Sequence, residues 1–568
     1  MNTLRFMPDI KHSSPAAEFR PPSHGMWELE TTHHGLRPLS PFLRDAYRRG
    51  FEAGTTVLVE RWGLPLACVR AELVNGCMYI RPTGVGEGEK PSPTPPKFVI
   101  KVFVRLHPEM RRRTRTAAQA FRERKWRLEV DRWFDRDRAE VVRQNLTFQA
   151  VDCSTLDNAQ LASYIMELLA HFEEQVRMNM INHGGDLIPV GDLLAHCAEW
   201  GINAGEAAAL LRGSSPATVE TAQLLSPVVG ALEACDTKPV SVEEVRQLSP
   251  AARVAVDSWF EFHAWRLVTS DDIDRPTLAE IPALQLAALL SANIHATADV
   301  PPHEIAALRS RVPADKRALF DELVVEARYG NRQREDIRGI RWNWPGGLLR
   351  RALLEAGRRL VATSVLIDVE HVAELAPGEL TSLLADLPGP SADQVAERAA
   401  TRDRIEATPP PRMLGEPEAP PPLDALPPAM ARATAALMTN LVADATPPES
   451  ETLPNILHGV GIGDQIYRGR ACIVTGAADA FERLAPGDVL IASFIGPSFN
   501  SILPILGALV VEEGGPLCHA AIVAREFGLP AVIGARGATA QILDGTLVEV
   551  DASTGIVRPI TSPNDTGA

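Results

Sequence analysis

Residues 512–534 read EEGGPLCHAAIVAREFGLPAVIG. The order is the end of an apolar strand, a Gly-Gly turn, a helix over 520–527, a Gly-Leu-Pro turn and a second strand. Gly514 and Gly515 let the backbone bend sharply and admit a bulky phosphate donor or acceptor close to the chain. His519 then falls at or just before the first turn of the helix, where unpaired backbone N–H groups and the positive end of the helix dipole favour an anion. Gly528 suits the left-handed residue that ends a helix, and Pro530 prevents continuation. A neutral imidazole is nucleophilic near physiological pH and forms a phosphoramidate that other groups can attack. The segment suits His519 to carry a phosphoryl group; read alone, a histidine there is better explained by a structural hydrogen bond.

Working outward, the chain from Gly459 is rich in glycine and in β-branched runs, at 470–474, 489–492, 508–511, 531–533 and 547–550. Two proline-rich breakers precede it, TPPPRMLGEPEAPPPLDALPP at 408–428 and ATPPESETLPN at 445–455, on either side of a short helix near 430–442. Prolines stiffen a chain into an extended form that cannot join a helical core, so this stretch is expected to be a tether. Upstream, helical spacing dominates at 41–62, 107–180, 193–211, 217–234, 242–263, 313–329 and 347–362, with one hairpin over 69–81. Trp126, Val130 and Trp133 share a helix face, and Ser241 with Glu244 has the capping-box pattern. The expectation is a multidomain chain. It comprises a loose arm at 1–25, a mostly α-helical (α+β) body at 26–407, a proline-rich linker with a short helix at 408–452, a small α/β (β/β/α) domain at 453–562 and a tail at 563–568.

A chain of 568 residues exceeds what one hydrophobic core supports, and 45% hydrophobic with 23% charged residues is ordinary for a globular protein. No apolar run is long enough to span a bilayer and no export signal stands at the N-terminus, so a cytoplasmic protein without a membrane partner is expected. The net charge of −15 argues against nucleic acid; the cluster Arg111, Arg112, Arg113 and Arg115 reads as a solvated helix face. Seven cysteines are scattered with no C-x-x-C pair, and His303-Glu304 lacks the second histidine of H-E-x-x-H, so no disulfide framework and no metal bound by this chain are expected.

The segment 512–534 closely resembles the phosphohistidine signature of the PEP-utilising enzymes, a family that includes PEP synthase, pyruvate phosphate dikinase and rifampin phosphotransferase. The resemblance extends over about 457–559, including LAPGDVL at 484–490 and DGT at 544–546. It implies a phosphohistidine swivelling domain with His519 as the catalytic carrier and with Gly514, Gly515, Cys518 and Arg525 supporting the phosphate. The family usually has Ser, Thr or Cys directly before the histidine and often Thr before that: Cys518 conforms and Leu517 departs. Cys518 reads as a packing residue under the helix start, and Arg525 equally well as an exposed helix arginine.

Residues 27–405 resemble, more weakly, the substrate-binding region of rifampin phosphotransferase. The matching stretches include TTHHGLRPLSP at 31–41, LLRGSSP at 210–216 and RQRE at 332–335. Candidates for an acceptor pocket are His33, His34 and Arg37 in one loop, His183 before a Gly-Gly-Asp loop, and His263, Arg266, Arg334 and Glu335 on or beside helices. A buried ion pair of Arg334 and Glu335 is an equal reading. No G-x-x-x-x-G-K-[ST] loop and no ATP-grasp signature is found. The resemblance therefore implies a separate ATP-grasp partner that supplies ATP and Mg2+, no cofactor bound by this chain, and transfer to a hydroxyl or enol oxygen of a small molecule. The alternatives are a PEP synthase-like subunit acting on pyruvate and a non-enzymatic phosphohistidine carrier with a regulatory role.

Overall fold

The body is organised around one long amphipathic helix, Asn158–Asn182, started by a capping box in which Asp157 and Gln160 satisfy each other's backbone N–H groups. Leu161, Ile165, Leu168, Phe172 and Val176 recur along it at helical spacing and are fully buried. It packs against the helices Arg44–Arg61 and Trp344–Ala362, with Tyr47, Trp342 and Trp344 closing the core. In this computed structural model the described residues are 18–30, 37–88, 95–235, 237–268, 272–290, 299–407, 410–416, 422–444, 456–476, 479–480, 483–496, 499 and 502–560. The protein is a mostly helical body followed by a C-terminal sheet domain.

Trp126, Val130 and Trp133 are buried on one face, as their spacing predicts. The hairpin pairs Leu66–Val74 with Cys77–Gly84 around an Asn75-Gly76 turn, in which Asn75 takes φ 51°. Three expected helices are each split. The stretch 193–211 divides into Gly184–Glu199 and Ala204–Ala209, the second restarted by an Asn203/Glu206 capping box. The stretch 217–234 divides at Leu225 before Ser226-Pro227, and 242–263 divides where Ser249 caps a helix beginning at Pro250. Proline at the first helical position starts a new helix because it has no N–H to give the preceding one.

The described part of the proline-rich stretch lies on the body. Met413–Leu414 pairs with Trp27–Leu29 at the edge of a four-stranded sheet, and the Tyr79 hydroxyl donates to the Pro411 carbonyl at 2.6 Å. The helix Pro428–Asp444 packs along Gly184–Glu199, burying Met430, Ala433 and Ala436, and Arg432 grips the Asp192 carboxylate at 2.6 and 2.9 Å. Its small-residue face allows this approach: a Cβ on Gly191 would stand 1.8 Å from the Ala436 carbonyl oxygen. Gly→Ala in a helix ordinarily gains about 0.5–1 kcal/mol. Gly191→Ala should instead lose about 1–3 kcal/mol through overpacking, seen as a lower urea midpoint. An unchanged or raised midpoint would mean that the 428–444 helix is not seated there.

In the C-terminal domain an eight-stranded sheet has the order Leu457–His458, Ile556–Pro559, Leu547–Asp551, Ile466–Ile473, Val489–Ala492, Ala508–Val511, Ala531–Ile533 and Val460–Ile462. The pairs joining Ile466–Ile473 through Ala531–Ile533 are parallel, and the middle strands are buried on both faces, which is why they read as unbroken apolar runs. Among the described residues no helix is long and apolar enough to cross a membrane, and no group of three or more His, Cys, Asp or Glu is placed to hold a metal ion.

Candidate functional site

The strand Ala508–Val511 delivers the chain into the turn before His519. Glu512 fixes the start of this turn: its carboxylate accepts from the Thr539 N–H at 2.9 Å, the Thr539 hydroxyl at 2.8 Å and the Ser493 hydroxyl at 2.6 Å. Gly514 has φ +113°, and a Cβ there would stand 2.6 Å from the Cys518 Sγ, so the turn closes directly onto the thiol. Cys518 is the N-cap residue, its N–H donating to the Gly515 carbonyl at 3.1 Å, and the helix runs His519–Phe527. Gly528 ends it at φ 63°, with the Leu529 N–H donating to the Ala524 carbonyl at 2.8 Å. The imidazole thus occupies the first turn, at the positive end of the helix.

Arg525 donates to the Pro516 carbonyl and braces the turn from inside; burial pushes its guanidinium down to about 10. Its side chain is half-buried.

Across the domain boundary, the His519 Nδ1 lies 3.6 Å from the Glu335 Oε2. Glu335 stands on the short helix Arg334–Ile337, which continues into a π-helical stretch, Arg338–Asn343, anchored by the fully buried Trp342 and Trp344. Burial alone would raise the Glu335 carboxyl, but the neighbouring His519 imidazole, with Arg338 and Arg334, outweighs it and holds the group at about 2. Neighbouring Glu526 is pushed up to about 7 by burial and by the charge on Glu335, against the pull of Arg525.

Behind Glu335, Arg334 Nη1 lies 3.7 Å from Asp186 Oδ2, and Asp186 Oδ1 lies 3.4 Å from His183 Nδ1. His183 is thus linked through Asp186 to Arg334, the chain neighbour of Glu335. His183 is not in a loop: the His183 N–H donates to Asn179 and the Leu187 N–H to His183, so helical hydrogen bonding runs through the Gly-Gly pair, packing having overridden its weak helix propensity. Arg37 is engaged elsewhere, with Asp274 at 2.6 Å, Asp403 at 3.3 Å and Glu406, in a network that Arg402 joins. His263 stacks on Trp259 and is pushed down to about 3 by burial and by Arg266. Arg266 lies over the Trp344 ring, pushed down to about 10 by burial. His33 and His34 lie outside the described residues.

A narrow cleft of about 20 Å³, room for about one water molecule, lies along this boundary, with Arg212, Ser215 and Asn331 of the body facing Ile522, Arg525 and Glu526. The Ser215 hydroxyl is buried without a hydrogen-bond partner. Arg212 and Ser215 fall within the LLRGSSP stretch at 210–216, but nothing in the sequence marks them as site residues. Asp186 and Asn331 carry no sequence signal of this kind either.

Residues 484–555 match the family described as PEP-utilising enzyme, mobile domain. The phosphoenolpyruvate synthase of Aeropyrum pernix is 39% identical over 118 residues, 20% of this chain and 14% of that protein. YvkC, an uncharacterised phosphotransferase of Bacillus subtilis, is 36% identical over 112 residues, 20% of this chain and 13% of that protein. An uncharacterised protein of Mycobacterium tuberculosis is 31% identical over 267 residues, 47% of this chain. The chain spans only 27% of that mycobacterial relative's length. Over residues 484–555, with His519 inside them, the chain carries the mobile domain of the PEP-utilising enzymes.

Proposed function

We propose that this chain is a phosphotransferase component in which His519 carries a phosphoryl group from a separate ATP-grasp protein to a hydroxyl or enol oxygen of a small molecule bound at the body. One observation carries the reading: a histidine on the first turn of a mobile-domain helix faces an ionised carboxylate of the body at 3.6 Å. The helix N-terminus suits the charge of a phosphorylated imidazole. A carboxylate beside Nδ1 favours a proton on that nitrogen, which leaves the other ring nitrogen as the nucleophile and makes neutral imidazole the leaving group. In delivery the acceptor oxygen bonds to phosphorus and passes its proton to a general base or to water, the P–N bond breaks, and its electron pair returns to the ring nitrogen. Arg334 and the polar lining of the cleft suit the positioning and charge stabilisation that such a transfer needs.

By family resemblance the charging step converts ATP to AMP and phosphate, with Mg2+ held by the partner, and this chain binds neither. The test is to mix the chain with labelled ATP, Mg2+ and an ATP-grasp protein of the PEP synthase type. Label should enter the chain only when that protein is present, and calorimetry on the chain alone should show no micromolar ATP binding. Self-labelling with micromolar ATP binding would overturn the proposal.

A further inference from the structure

Leu517 departs from the phosphohistidine signature two residues before His519. We propose that its side chain is the apolar anchor that seats the mobile domain on the body, making it a positioning residue for His519 at Glu335. By sequence Leu517 belongs to the turn of the C-terminal domain. Its side chain nevertheless packs into a cluster of body residues that includes Leu194, Ala208 and Leu211, and it is 3% exposed. The C-terminal domain has its own cores on the two faces of its sheet, and among the described residues no other residue of that domain joins the body cluster.

Among the described residues, other links across the boundary include polar and backbone contacts, with Gly496 beside the Val268 carbonyl. Glu513 pairs with Arg412, His519 faces Glu335, and Val460 lies beside Gly205. Pairing these partly buried charges is offset by the water they lose, whereas fully burying a leucine shifts an equilibrium by about 10- to 100-fold. Leu517 therefore weighs heavily in the balance between docked and released carrier. A threonine there would surrender most of the apolar contact and bury a hydroxyl. Docking also covers the imidazole, whose side chain is 9% exposed, so the same leucine governs how long His519 is hidden from a charging protein. The inference rests on the docked geometry used in the proposed function, but its test requires no phosphoryl transfer, so the two can fail separately.

The experiment is carbethoxylation of the full chain by diethylpyrocarbonate, followed by peptide mass spectrometry, with exposed His303 as the internal reference. In the wild type His519 should react well behind His303. Leu517→Thr and Leu517→Ala should each speed modification of His519 by about tenfold or more, with His303 unchanged. Ala208→Glu, which sets a charge in the receiving cluster without touching the mobile domain, should do the same; it decides the matter if the Leu517 variants lose their circular-dichroism signature. Unaltered reactivity of His519 in folded variants, or a wild-type rate equal to that of His303, would overturn the anchor role.

Discussion

Replacing His519 with alanine is expected to abolish phosphoryl transfer through this chain, by at least about 10³-fold, because no other group can form the phosphoramidate in that turn. The fold should survive. The side chain stands at the start of a helix whose cap and C-terminal closure are made by backbone groups, and it faces the Glu335 carboxylate of the body at 3.6 Å. A thermal midpoint within about 2 °C of the wild type is expected. The check is acid-labile phosphate on the intact protein after incubation with ATP, Mg2+ and the charging protein. Persistent acid-labile phosphate on His519→Ala would dismiss the carrier role.

Glu335→Gln should separate the two half-reactions. Glu335 belongs to the body and meets the carrier only in the docked state, so charging of His519 should stay within about twofold of the wild-type rate. Delivery should fall by about 10²-fold, because glutamine cannot supply the negative charge that holds a proton on Nδ1 while the P–N bond breaks. The carboxyl is held at about 2, so the group stays ionised at neutral pH, and the effect of the substitution should not fade on going from pH 8 to pH 6. Single-turnover chase of the charged chain measures delivery directly. Equal losses in both half-reactions, or none in either, would contradict a role of Glu335 specific to delivery.

The C-terminal domain is legible in the sequence because its signals are local. Gly-Gly before the helix, Gly-Leu-Pro after it and short β-branched runs between turns all point the same way, and the helix lies within one residue of its expected span. The body is legible in its helical character and less so in its divisions. Ser226-Pro227 and Ser249-Pro250 restart helices inside patterns whose apolar periodicity runs straight on. The expected tether shows the limit of composition. Proline runs mark where no helix can form, but they do not reveal that Leu414 enters a sheet edge or that an alanine-rich helix has a mate in Gly184–Glu199. Removing 409–428 would take Met413–Leu414 out of that sheet, so 445–455, the covalent connection between the Pro428–Asp444 helix and the first strand of the mobile domain, is the better place to shorten the chain. Among the candidate site residues, Arg334 and Glu335 were visible as a polar pair beside a helix. Their facing His519 was not, since it depends on a contact between domains that no local pattern encodes.

The most direct measurement is the position of the phosphoryl group in the charged chain, read by phosphorus NMR and by mass spectrometry of the peptide spanning 512–534 under conditions that preserve P–N bonds. The account predicts a single acid-labile phosphoryl group on an imidazole nitrogen of His519. An acid-stable phosphate on a hydroxyl residue, or a phosphoryl group on a different histidine, would contradict it.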